Sequence, residues 1–570
     1  MNDNYSISYK DKIFTPSIYQ KKIFDNVKYG IGNMIIKACA GSGKTSVIVN
    51  LIKLIDKDKK LLFIAFNKEI VNELKKRIGL LGYIDIMTYH SLGYLILKEN
   101  FGLTLKNVDE YKYRTYIKSN IKHLSIIDVS KLNANEYNAY ISNIMHLINY
   151  SRYNQCQSAD EIKKIGDKYG IAIMHDEHLI AEKALKWGQE NISTIDYTDM
   201  IWLPIELNLY PKRYKYDWVL IDESQDISLI QQKLFLKTFK RGTRFVSVGD
   251  EYQTINLWAG ASDTALNDLE KMPNTKVFTL PITYRCPKNI VELAKKYSDN
   301  IKADDNAIDG IINYDVSVNA PKSGDMVLCR NTAPLVELYM KYLRYNKKSY
   351  IKGSDIGKNL VNLVIDNCGE IELLNNNFFN KLFEKLIMLR NNLMKDYGLD
   401  HYDASSSPQI VNLYDNIMAL KAISEGLHTK QELIDKINEI FLDSDGDGVC
   451  LSTIHKAKGL EADNVFILCK SLMPSKLAKK EWEKITELNL IYVAITRAKK
   501  SLNFISENEF KPKSFYSKNE LFSNEINAIE KDINYTPKIN VNIIENNIDI
   551  NDKTINNKCF KAFNKLKDFI

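Results

Sequence analysis

Lys37-Ala-Cys-Ala-Gly-Ser-Gly-Lys-Thr45 is the stretch on which the fold turns. Asn33-Met-Ile-Ile36 before it is a short apolar run of strand type, and Ser46-Val-Ile-Val-Asn-Leu-Ile-Lys53 after it has helical spacing. Strand, small-residue loop, Lys-Thr and helix together make a phosphate cradle, in which backbone N–H groups at a helix start face an anion. Ala40, Gly41, Ser42 and Gly43 supply the loop, and the two glycines let the backbone approach closely. Lys44 can reach the outer phosphates of a nucleotide, and the Thr45 hydroxyl can ligate Mg²⁺. The strict pattern places Gly where this chain has Ala38, another small residue. The plainer alternative is a turn with chance glycines.

The chain has 570 residues, enough for several domains at roughly 150 residues each. Its 45% hydrophobic content supports real cores. The net charge of +7 is compatible with a polyanionic partner without requiring one. Eight scattered cysteines form no CxxC pair, which argues against a disulfide framework or a zinc site. No signal-peptide pattern and no membrane-length apolar run are present, so a cytoplasmic protein is expected, or a nuclear or viral-factory one in a eukaryotic or viral setting.

Tyr216-Asp-Trp-Val-Leu-Ile-Asp-Glu-Ser-Gln-Asp226 is the second anchor. Its apolar residues predict a buried strand that delivers Asp222 and Glu223 to its end. One carboxylate there can hold Mg²⁺ and the other can activate a water. Gln225 and Asp226 are expected to start a helix, Asp226 as a favourable acidic cap. Leu61–Ala65 and Phe245–Gly249 read as further strands, and ligands of parallel sheets bind at strand carboxyl ends. Phe66 and Asn67, Thr88 and His90, and Gln253 and Trp258 follow such ends. Phe66 and Trp258 are base-stacking platforms or core; Thr88 and His90 suit phosphate contacts. Gln20, near a helix start at Pro16, can offer adenine both a donor and an acceptor. Tyr284 and Arg285 precede a helix from Pro287, and the arginine can stabilise charge. Asp443–Gly448 resembles a calcium loop but has Ile454 where Glu is needed, so a turn is predicted. Residues 92–193 and 355–447 read as helical insertions, and the tail from about 511 as partly disordered or a small docking element.

The ordered set Gln20, Ala40–Thr45, Asp222–Asp226, Gly249–Trp258, Thr283–Arg285, and His455–Glu461 with Val493–Ala498 resembles the UvrD/Rep-type helicases of superfamily one. The resemblance implies an α/β fold of two RecA-like, parallel-sheet P-loop motor domains with inserted helical subdomains. The first motor domain would comprise residues 1–91 and 194–279 around an insertion at 92–193. The second would comprise 280–354 and 448–510 around a short insertion at 355–447, followed by the tail 511–570. It implies ATP and Mg²⁺ as cofactors. Gln20 and Tyr284 would hold adenine, Glu461 would lie near the ribose, and Lys44, Thr45, Asp222 and Glu223 would serve phosphate, metal and water. Gln253, Arg285 and Arg497 would sense the γ-phosphate. Phe66, Asn67, Thr88, His90, Trp258, Arg330 and His455 would face DNA. The implied activity is 3′→5′ translocation on single-stranded DNA with unwinding of duplex junctions, in replication, repair or recombination, beside proteins of those processes. The alternative keeps the motor but only strips proteins from DNA. Ala259 stands where such helicases usually carry Arg.

Overall fold

In a computed structural model of the protein, the described residues are 7–511 apart from 10–11, 66–67, 80–81, 133, 172, 258–264, 369–375, 398–403, 406, 443–445 and 477. The expectations for Phe66, Asn67, Trp258 and Ala259, for nearly all of the tail, and for the first half of the Asp443–Gly448 turn therefore fall outside them.

Two parallel sheets organise the chain. The first has six strands in the order Ile84–Thr88, Leu61–Ala65, Tyr216–Ile221, Phe239–Gly249, Asn33–Ala38 and Thr275–Leu280. All neighbours pair in parallel, so every strand delivers its carboxyl end to one edge. Central strands buried on both faces read as continuous apolar runs, which is why Leu61–Ala65 contains no polar residue. One face is covered by the helices Ile18–Tyr29, Lys44–Leu54 and Lys68–Ile78. The other face shares its core with helices of the 92–193 region, where Ile35, Leu62 and Ile64 pack with Ile117, Ile144 and Ala184. Full burial of each Ile or Leu contributes roughly 1.5–3 kcal/mol.

The second sheet has seven parallel strands in the order Ile311–Val316, Ala498–Ile505, Ala462–Ile467, Met326–Cys329, Val449–Thr453, Ser349–Lys352 and Phe441–Leu442. The helices Asn376–Tyr397, Pro408–Ile423 and Lys430–Ile440 do not form a separate body. Leu382, Ile417 and Leu433 share one core with Val327, Leu451 and Phe466 of the sheet. Phe441 and Leu442, read from the sequence as part of the helical insertion, add an edge strand beside Ile351 and Lys352. Two residues are too few to show a strand period.

The two units meet through a continuous apolar core. Cys39, Ala40 and Ile255 of the first pack with Ile290, Leu490, Tyr492 and Val493 of the second. Among the described residues, no helix is long and apolar enough to cross a membrane.

Candidate active site

The phosphate loop runs from the end of the strand Asn33–Ala38 into the helix Lys44–Leu54. Gly41 and Gly43 both hold left-handed backbone, at φ 73° and 80°. A Cβ on Gly41 would lie 2.5 Å from Arg285 Cβ and 2.7 Å from Thr283 Oγ1, so only glycine lets the loop meet this neighbour. The Gly41 carbonyl accepts a hydrogen bond from the Tyr284 N–H at 2.9 Å. The Ser42 hydroxyl is buried without a hydrogen-bond partner among the described residues, and no atom lies within 4 Å of where a Gly43 Cβ would stand. A loop with a buried, unpartnered hydroxyl beside open space fits a phosphate ligand.

Lys44 Nζ lies 3.0 and 2.9 Å from the two carboxylate oxygens of Glu223. Burial works against its charge, but Glu223, Asp222 and Asp250 together outweigh burial and raise its pKa. Burial alone would push the Glu223 carboxyl up; Lys44, Lys458 and the Gln225 amide reverse this and hold it at about 2. Asp222, beside it, is held up at about 7 by burial and by the Glu223 charge. Glu223 itself sits at φ 50°, in left-handed backbone rarely taken by a residue with a side chain. Strain of this kind, on the order of 1–3 kcal/mol, collects at functional sites.

Asp226 does not start a helix. Ser224–Asp226 form one 3-10 turn, and the following helix Leu229–Leu236 is capped by Ser228 and Gln231. Asp226 is instead ion-paired with Lys458, which reaches across from the second unit and also donates to the Gln253 carbonyl at 2.8 Å.

Arg285 and Arg497 come from the strand end before Pro287 and from the end of the helix Glu481–Ile495. Arg285 Nε donates to Glu461 Oε2 at 2.8 Å. Arg497 is buried and donates from Nη2 to Gln253 Oε1 at 3.3 Å. Burial, with Arg285 nearby, lowers its pKa to about 10. Gln20 is buried, and its side-chain oxygen accepts from the Ser17 N–H at 2.9 Å, so the acceptor half of its amide is already used by the helix cap. The Tyr284 ring is half exposed, and its hydroxyl interacts with Ser17. Gln20, Ala40–Thr45, Asp222, Glu223, Gln253, Tyr284, Arg285, Glu461 and Arg497 are thus gathered in one cleft between the two units.

Two descriptions from one protein family match this chain: the UvrD/REP helicase N-terminal domain over residues 20–274 and the UvrD-like helicase C-terminal domain over residues 328–509. The chain belongs to the UvrD/Rep helicase family. Its α/β architecture of two parallel-sheet units is that of two RecA-like motors. Among its relatives, it is 27% identical over 298 residues to the "ATP-dependent DNA helicase PcrA" of Bacillus subtilis, covering 48% of this chain and 38% of the relative. It is 25% identical over 513 residues to the "F-box DNA helicase protein 1" of Schizosaccharomyces pombe, covering 82% and 55%. It is 23% identical over 619 residues to the "Probable DNA helicase II homolog" of Mycoplasma genitalium, covering 86% and 85%. The matched segment therefore spans about half or less of the first two relatives.

Of the remaining residues expected to face DNA, Thr88, His90, Arg330 and His455 are described, and they lie at or just after strand ends. Thr88 caps the helix Tyr89–Phe101, its hydroxyl accepting from the Ser91 N–H at 3.3 Å. Burial lowers the pKa of His90. Arg330 donates from Nε and Nη2 to Glu487 Oε1 at 2.9 and 2.7 Å. His455 is pushed down to about 3 by burial and by Arg330 and Lys456, so it is a neutral hydrogen-bonding group at physiological pH. Sequence reasoning missed three cleft residues: Lys458, Asp250 and Tyr492. Lys458 lies within His455–Glu461, where a basic residue before Gly459 follows the strand Val449–Thr453.

Proposed function

We propose that the protein is an ATP-dependent DNA helicase that moves on single-stranded DNA and unwinds duplex. The observation that carries this reading is the cleft itself. The phosphate loop and the Asp222–Glu223 pair stand on one motor unit, and Arg285, Lys458 and Arg497 stand on the other. Such a site is complete only when both units contribute, so its chemistry is coupled to their relative movement.

The residues fit a nucleoside triphosphate. The buried, unpartnered Ser42 hydroxyl and the open space at Gly43 suit phosphate oxygens, and Lys44 is already in the loop. On ATP binding, Lys44 exchanges Glu223 for phosphate and releases the carboxylate to accept a proton from the attacking water. Thr45 and Asp222 would hold Mg²⁺, which supplies charge neutralisation at the phosphates. Arg285 and Arg497 meet charge that develops on the transferred phosphoryl group, and Gln253 reports its presence to Arg497. Gln20 and Tyr284 flank the position for adenine. Phe66, Asn67, Thr88, His90, Trp258, Arg330 and His455 are the candidate DNA contacts, since they follow strands whose carboxyl ends share an edge with the nucleotide site.

Strand displacement tests this reading. The purified chain, with ATP and Mg²⁺, is offered duplexes with 3′ or 5′ single-stranded tails. ATP-dependent separation of the 3′-tailed duplex is expected. Hydrolysis without separation of either duplex, combined with removal of a bound protein, would replace unwinding by translocation.

A further inference from the structure

We infer that Tyr492 is a positioning residue for ATP hydrolysis: its hydroxyl, carried by the second motor unit, sets Asp250 and through it Gln253 in the first. The inference rests on the ATPase reading above and adds a part to it.

Tyr492 lies in the helix Glu481–Ile495 with its side chain fully buried. Its hydroxyl accepts from the Ala40 N–H of the phosphate loop at 3.1 Å and donates to Asp250 Oδ2 at 3.5 Å. One turn earlier, Asn489 Nδ2 donates to the Thr254 carbonyl at 2.9 Å and the Glu251 carbonyl at 3.4 Å. The helix therefore grips both sides of the segment that carries Asp250 and Gln253.

Asp250 is a hub. Its Oδ2 accepts from Gln253 Nε2 at 2.6 Å, and its Oδ1 accepts from the Tyr252 N–H at 3.1 Å. Its own N–H donates to Gln225 Oε1 at 3.0 Å, and Gln225 Nε2 donates to Glu223 Oε2 at 2.6 Å. Gly249 makes the approach of Gln225 to the Asp250 N–H possible, because a Cβ there would lie 2.6 Å from Gln225 Oε1. A glutamine amide can present either end. Holding its NH₂ on Asp250 turns the Gln253 oxygen toward Arg497, 3.3 Å away. A continuous run of hydrogen bonds thus joins the phosphate loop, the water-activating carboxylate and the buried arginine, and Tyr492 and Arg497 are the members that come from the second unit. Any movement of the second unit that shifts this helix must change what Ala40 and Asp250 bond to.

Tyr492→Phe removes one oxygen and keeps the ring that packs in the core. DNA-stimulated ATP turnover by the full chain is measured for the parent, Tyr492→Phe, Asp250→Asn and the double variant, with thermal melting of each. Tyr492→Phe is expected to lower kcat about tenfold, the factor one hydrogen bond is worth, with KM for ATP changed by less than about threefold. The double variant should be no slower than the slower single variant, because both act through one contact. Unchanged kcat in Tyr492→Phe, or strictly multiplicative losses, overturns the inference while an active parent leaves the ATPase reading standing. A parent chain without DNA-stimulated hydrolysis overturns both. If Tyr492→Phe melts early, Asp250→Asn decides: a normal melting point with a lowered kcat supports the hub, and a normal kcat rejects it.

Discussion

Lys458→Met is the substitution whose cost follows most directly from the geometry. Lys458 crosses the cleft to Asp226; the lysine side chain is 16% exposed and the aspartate side chain 1%. Burial already pushes the Asp226 carboxyl above its ordinary range, with Lys458 opposing it, and one of its oxygens has no hydrogen-bond partner among the described residues. Without the lysine, Asp226 must stay charged and unpaired or take a proton. Breaking a buried pair costs about 3–5 kcal/mol. Protonating a carboxyl of ordinary pKa about 3.9 at pH 7 costs about 3.1 units at 1.36 kcal/mol each, or roughly 4 kcal/mol. The two routes agree, so about 4 kcal/mol of docking stability is expected to be lost at pH 7. The pH dependence has a definite sign. An acid whose folded pKa lies above its unfolded value binds more protons when folded, so stability falls as pH rises through that window. The penalty of Lys458→Met should therefore shrink to roughly 1.5 kcal/mol at pH 5. Urea unfolding at both pH values, with Lys458→Met/Asp226→Asn as the paired control, measures this. A variant as stable as the parent at pH 7, or a penalty independent of pH, would show that Lys458 does not hold Asp226 charged across the cleft.

Glu223→Gln should lower ATP turnover by about 10²-fold or more and leave ATP affinity equal or higher, since Lys44 loses its charged partner; steady-state kinetics and nucleotide titration check both. Gly41→Ala should abolish nucleotide binding, because its Cβ would meet Arg285 and Thr283 at a φ of 73°, and calorimetric titration with a non-hydrolysable analogue reads the loss. Arg285→Ala should slow turnover by about 10³-fold or more with ATP still bound, as for a charge-stabilising arginine; single-turnover hydrolysis separates the two effects.

The parts of the site that are contiguous in the chain were legible in the sequence. Asn33–Lys53 announces strand, loop and helix by period and small residues, and four apolar residues before Asp222 announce a buried strand ending in carboxylates. What the sequence did not show is pairing between distant residues. Asp226 reads as a helix cap until Lys458, far along the chain, is seen to reach it. Thr88, read from the sequence as a phosphate contact, also caps the next helix, a role that a threonine at a strand end before a helix does not announce. Tyr492 sits in an apolar run, and only its neighbours Ala40 and Asp250 distinguish its hydroxyl from that of any core tyrosine.

The proposed function rests on ATP hydrolysis at this cleft in response to DNA. The direct measurement is phosphate release by the purified chain with Mg²⁺ and ATP, with and without oligothymidine, beside Lys44→Ala under the same conditions. Hydrolysis is expected to rise on adding the oligonucleotide and to vanish in Lys44→Ala. Phosphate release that ignores the oligonucleotide, or that survives at the parent rate in Lys44→Ala, would contradict it.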